Sequence, residues 1–199
     1  ITKLQLKGKL GTDFINNDTV QASTTPSSHW TTVVGQVTNQ TITPSSSTVT
    51  GNTMTVKAAA LTISILSEPV AQTVVAGGQN FIFTKYQLDA GASGEDLRIA
   101  SIPLYLTSGT SAQATELSNC ILYDGVTALN TGNNAVNPTT GAPTAYTFTF
   151  DSAMTIAKGT TKALTLKCNI ASGGTTTHKW GINSRPTVTG VTSGQAATV

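Results

Sequence analysis

Side-chain polarity along much of this chain alternates with a period of two, a pattern that extended strands bury cleanly and helices cannot. Leu164, Leu166, Cys168 and Ile170 fall on one face of such a segment, with Thr165, Lys167 and Asn169 on the other. Tyr146, Phe148 and Phe150 alternate with Thr147 and Thr149 in the same way. The same reading predicts strands over residues 61–66, 70–75, 81–88, 97–107, 117–123 and 178–182, about eight over residues 61–183. Helix signals are nearly absent. The best is residues 56–61, containing Lys57-Ala58-Ala59-Ala60, which is one turn at most.

Turn chemistry separates these strands. Ala76-Gly77-Gly78-Gln79-Asn80, Asp89-Ala90-Gly91-Ala92-Ser93-Gly94, Asp124-Gly125, Lys158-Gly159 and Ser172-Gly173-Gly174 supply residues that tolerate positive φ. Strand and turn every ten residues or so is the spacing of an all-β sandwich or barrel. Long strands, and Pro103 as an edge or bulge marker, favour the sandwich.

Composition narrows the partners. Only 10% of residues are charged and the net charge is +2, against a typical charged share of about 25%. Threonine and serine, 38 and 17 residues, take up the difference; threonine favours strands and solvates a face without charge. The basic residues are scattered, Lys3, Lys7 and Lys9 being the nearest to a cluster, which argues against nucleic acid. No run approaches the roughly 18 apolar residues of a membrane-spanning helix, so membrane insertion is not expected. The first residue is Ile1, with no signal-peptide pattern, which reads as a processed product or a piece of a longer polypeptide.

Residues 1–60 read as a thinner, β-rich N-terminal segment, residues 61–183 as the sandwich, and residues 184–199 as a C-terminal strand or a linker to a following module. Leu4, Leu6 and Leu10 alternate with polar residues to give an amphipathic strand at the start of the chain. Short strands are expected near residues 30–37 and 48–56. The Ser/Thr-rich stretch 41–50, with Pro44, suits a linker or an O-glycosylated segment. Thr48-Val49-Thr50-Gly51 recurs as Thr187-Val188-Thr189-Gly190, an echo that implies tandem modules or head-to-tail stacking.

Three stretches carry a family resemblance. They are Leu61-Thr-Ile-Ser to Val74-Val-Ala-Gly-Gly, Leu88-Asp-Ala-Gly-Ala-Ser-Gly-Glu-Asp-Leu-Arg-Ile, and Asn119-Cys-Ile-Leu-Tyr-Asp-Gly to Ile156-Ala-Lys-Gly-Thr-Thr-Lys-Ala-Leu-Thr-Leu-Lys. This pattern resembles Ig-like repeat modules of bacterial secreted and S-layer-like surface proteins, notably those of candidate-phyla lineages. The resemblance implies an immunoglobulin-like β-sandwich in an extracellular or cell-surface structural module, without catalytic residues.

The candidate sites follow from residue chemistry. Cys120 and Cys168 lie in apolar strands and are too few for a zinc site; they form either a disulfide or two buried thiols. Asp89, Glu95 and Asp96 share one loop and are the candidate calcium ligands, against an alternative of turn capping. Asn17 and Asn39 open Asn-X-Thr sequons and are candidate glycan sites. His29 and His178 each lie near a tryptophan, Trp30 and Trp180, as a metal pair, a sugar-stacking site or core-edge residues. Motifs for nucleophilic, metalloprotease or phosphate chemistry are absent from the sequence, so no enzyme is expected.

The expected partners are copies of the chain itself, joined through strand edges, with donation of the Leu4, Leu6 and Leu10 strand to a neighbour as one route. Alternatives are a cell-surface adhesin or carbohydrate-binding module that meets glycans or the cell envelope, and, more distantly, an accessory domain of a hydrolase.

Overall fold

The structure is a computed structural model that describes residues 5–11, 13–109, 114–139, 143–173 and 176–199. The chain divides into two compact units, Ile1–Lys57 and Ala58–Val199.

The N-terminal unit is built from very short elements: β1 (Thr19–Val20), β2 (Ser23–Thr24), α1 (Pro26–His29), β3 (Val49–Thr50) and β4 (Met54–Thr55). β1 pairs antiparallel with β4, and β2 with β3. The Gly51 amide donates to the Ala22 carbonyl between them, so the four pieces make one broken two-stranded ribbon. Pro26 opens the helical turn, where its missing N–H costs nothing. Pro26 is also the one buried residue among those described in this unit. The strand expected near residues 30–37 is reduced to a single bridge, Val34 with Thr41.

The second unit is an all-β sandwich of two sheets. Its strands are β5 (Thr62–Ile65), β6 (Phe81–Asp89), β7 (Leu97–Ser108), β8 (Leu117–Asp124), β9 (Thr127–Ala128), β10 (Thr144–Ile156), β11 (Thr161–Ile170), β12 (His178–Gly181) and β13 (Val188–Gly190). One sheet runs β5-β6-β11-β8-β9. In the other, β7 is flanked by β10 on one side and by β12 and β13 on the other. Every assigned strand pair is antiparallel. Apart from β5-β6, β8-β9 and the successive strands β12 and β13, each strand is followed by one in the opposite sheet. The chain therefore arches back and forth across the core, and most of its strand pairs join distant parts of the sequence.

Alternation decides which side chains fill the space between the sheets. β11 buries Leu164, Leu166, Cys168 and Ile170 and turns Thr165, Lys167 and Asn169 outward. β7 buries Leu97 and Ile99, slips by one residue, and then buries Ile102, Leu104 and Leu106. The slip coincides with a bulge in β10: Thr149 pairs with Ser101, but the next pair is Met154 with Ile99. β10 thus takes five steps where β7 takes two. Phe150 stays buried at the bulge while Asp151 is thrown outward. Each fully buried leucine or phenylalanine contributes roughly 1.5–3 kcal/mol, so the sandwich carries the stability of its unit.

Two expectations about local structure are corrected. Residues 70–75 form no strand, and Val70 and Val75 are largely exposed: their alternating apolar residues find no neighbouring ladder. Residues 56–61 are extended rather than helical; the Leu61 amide donates to the Thr198 carbonyl, and Ala60 pairs with Thr198 in parallel. Residues 184–199 take the strand reading. They form β13 on β7 and a return arm in which Thr189 pairs with Ala196.

Candidate functional site

Among the described residues the three candidate calcium ligands are not placed to share a metal ion, and each carboxylate accepts hydrogen bonds from backbone amides. Asp89 accepts from the Gly91 amide at 2.7 Å, closing its own turn. Asp96 accepts from the Lys158 amide at 2.9 Å and anchors the β10–β11 turn. Glu95 reaches the turn after β13, accepting from the amides of Thr192 (2.7 Å) and Ser193 (2.8 Å) and from the Ser193 hydroxyl. Burial alone would raise the Glu95 pKa, but these hydrogen bonds from Ser193 and Thr192 outweigh it and lower it. Gly190 lies against the same carboxylate, where any Cβ would collide with it. Among the described residues, no three His, Cys, Asp or Glu side chains are placed to share a metal ion. Turn capping is what this loop does.

Cys120 and Cys168 are bonded, with an S–S distance of 2.03 Å, and both are fully buried. They join neighbouring strands β8 and β11 within one sheet, where the register between those strands slips. In antibody domains the bridge spans the two sheets; here it clamps one.

Each histidine is held by residues of its own unit. His29 Nδ1 accepts from the Thr25 amide and bonds the Thr24 hydroxyl, each at 3.2 Å, at the start of α1. The His178 side chain is 6% exposed and held from both ring nitrogens. Nδ1 meets the Ser108 hydroxyl at 2.8 Å and Nε2 meets the Glu116 carboxylate at 2.9 Å. Thr176 donates to the same carboxylate oxygen at 2.7 Å. With the carboxylate accepting from Nε2–H, Nδ1 is left to accept the serine proton. That order of groups parallels a hydrolase relay. Its placement is that of a lock: Ser108 and His178 are directly opposed on β7 and β12, at the end of the sheet. Neither of two open surface grooves, one lined by Glu68, Gln79 and Phe81 and one by Glu95, Asp96 and Lys158, includes Ser108 or His178. Nothing in the sequence spacing of Ser108, Glu116 and His178 announces this cluster, because the arches alone bring the three together.

Two further polar anchors escaped the sequence reading for the same reason. Asn130 is fully buried and accepts from the Leu122 amide (2.8 Å) while donating to the carbonyls of Cys120 (3.2 Å) and Asn134 (3.0 Å). Its side chain continues the β8 ladder where β9 stops. Asp151, at the β10 bulge, accepts from Asn134 Nδ2 and from the Thr131 amide and hydroxyl, and these bonds lower its pKa.

Trp180 is buried, edge-on to Tyr146 and Phe148, and is out of reach of a glycan; Trp30 is 49% exposed. Asn17 and Asn39 are both exposed and both adopt left-handed turn conformations, φ 76° and 55°. Of the assembly strand, Leu4 lies outside the described residues. Leu6 and Leu10 are 83% and 48% exposed, and the described residues 5–11 form no strand. The alternation is present in the sequence there, but no described strand pairs with residues 5–11.

Compared with protein families, with curated proteins and with solved structures, the chain matches none.

Proposed function

We propose that this chain is a structural module of an extracellular surface assembly, an S-layer or filament, held to copies of itself through β-strand edges. The observation that carries the reading is the N-terminal unit. It leaves Leu6, Ile15, Trp30, Val37 and Met54 exposed and buries one residue among those described, too little to support a fold of its size alone. A near-neutral chain does not repel copies of itself. A buried disulfide suits an oxidising compartment. Likeness to Ig-type surface modules points the same way, and residues 5–11, which pair with no described strand, are the natural segment to donate to a neighbour.

Sedimentation and electron microscopy across a concentration series test this: the intact chain forms oligomers or ordered arrays, and removal of residues 1–11 weakens them. A particle that stays monomeric at every concentration would defeat the proposal. A glycan-binding adhesin is the second reading, and exposed Trp30 favours it. Glycan-array binding lost in Trp30→Ala would establish that reading instead.

A further inference from the structure

One outer edge of the sandwich, that of β5, carries no charge, proline or bulge among its own residues. We propose that β5 pairs with β5 of a second copy, antiparallel across a two-fold axis, joining two five-stranded sheets into one. This rests on the reading of the chain as a self-associating module and names the strand and the partner.

The direction of each backbone group on β5 follows from its neighbours. The Leu66 amide donates inward to Lys85 of the β6 hairpin arm, whereas the Leu61 amide donates outward to Thr198. Strand alternation therefore turns the N–H and C=O groups of Thr62 and Ser64 toward β6 and those of Ile63 and Ile65 outward. Thr198 pairs with this outer edge at Ala59 and Leu61. Beyond it, no described strand pairs with Ile63 or Ile65.

Natural edges are blunted by lysine, proline, bulges or covering segments. β12 carries Lys179 at its centre, β10 is broken by its bulge at Asp151, and β9 is two residues long. β5 reads Thr62-Ile63-Ser64-Ile65, with no charge, no proline and no bulge.

A second copy is the occupant that this sequence fits. With Ser64 on the two-fold axis, Ile63 lies opposite Ile65 of the second copy, and each such pair exchanges both backbone hydrogen bonds. Leu61 stays clear and keeps its bond to Thr198. The same register extends both faces of the sheet. Ile63, which packs against the core, and half-exposed Ile65 meet apolar partners on one face, and the exposed Ser64 side chains meet each other on the other. The sandwich unit carries seven basic and seven acidic residues, so its two copies do not repel. An edge this short buries less than about 1,200 Å², the range of weak, transient contacts. Its strength comes from repetition within an assembly.

The test is site-directed cross-linking of the full chain with its native disulfide intact. Ser64→Cys forms a covalent dimer under mild oxidation. Thr62→Cys, equally exposed, cross-links roughly tenfold less, because only directly opposed positions bring Cβ atoms within about 5.5 Å. Adding Ile65→Lys to Ser64→Cys removes the cross-link while circular dichroism still reports the sandwich. Equal cross-linking at both positions, or none at Ser64→Cys, overturns the inference. If oligomers still sediment in that case, the assembly reading survives and only this edge is wrong. If the unmodified chain is also monomeric at every concentration, both fall.

Discussion

Replacing Asn130 with alanine tests the claim that a buried side chain, rather than a strand, finishes the β8 edge. Asn130 is 0% exposed and makes three hydrogen bonds. Its loss leaves the buried Leu122 amide without an acceptor, which costs about 1–3 kcal/mol, and removes two further bonds worth about 0.5–1.5 kcal/mol each. The sum is about 4 kcal/mol, a large share of a typical domain's stability. With a urea slope of about 2 kcal/mol per molar, the midpoint falls by about 2 M. Trp180 fluorescence in a Trp30→Phe background reads the sandwich alone, since Trp180 lies in its core. Asn130→Leu separates volume from polarity: it restores bulk but not the bonds, and it is expected to be as destabilised as the alanine variant. Exposed Asn133→Ala shifts stability by less than about 0.5 kcal/mol. A loss below about 1 kcal/mol for Asn130→Ala, or rescue by leucine, would refute the reasoning.

Removing the Cys120–Cys168 bridge, by reduction or by paired alanine substitutions, frees a loop with a sequence separation of 48. The chain-entropy model sets the loss at about 4 kcal/mol, read as a lower thermal or urea midpoint with the sandwich spectrum retained at low temperature; an unchanged midpoint would contradict it. The carboxyls of Glu95 and Asp151 are both depressed in the fold. Their stabilisation is fully present above the ordinary values of 4.5 and 3.8 and is lost below them, as pH falls through the folded values. Glu95→Gln and Asp151→Asn therefore lower stability near neutral pH, where the carboxylates are charged, and converge on the parent chain in acid, so the acid limb flattens; an acid limb as steep as that of the parent chain is the adverse result.

The local code was legible where one face of a strand meets the core. Alternation in residues 160–170 placed Leu164, Leu166, Cys168 and Ile170 on the buried side, and β11 buries all four. Turn residues marked most strand ends for a similarly local reason: Gly77, Asn80, Gly125 and Gly159 all have positive φ. The same alternation misled at residues 70–75 and 5–11, because a strand needs a neighbour and the pattern of one segment does not name it. Tertiary structure made those choices. By arching from sheet to sheet it set Ser108, Glu116 and His178 in contact and spent Asp89, Glu95 and Asp96 on backbone amides. It also left β5 as an edge without a charge. Side-chain period is a property of consecutive residues, whereas pairing, capping and exposure depend on what distant segments bring alongside them.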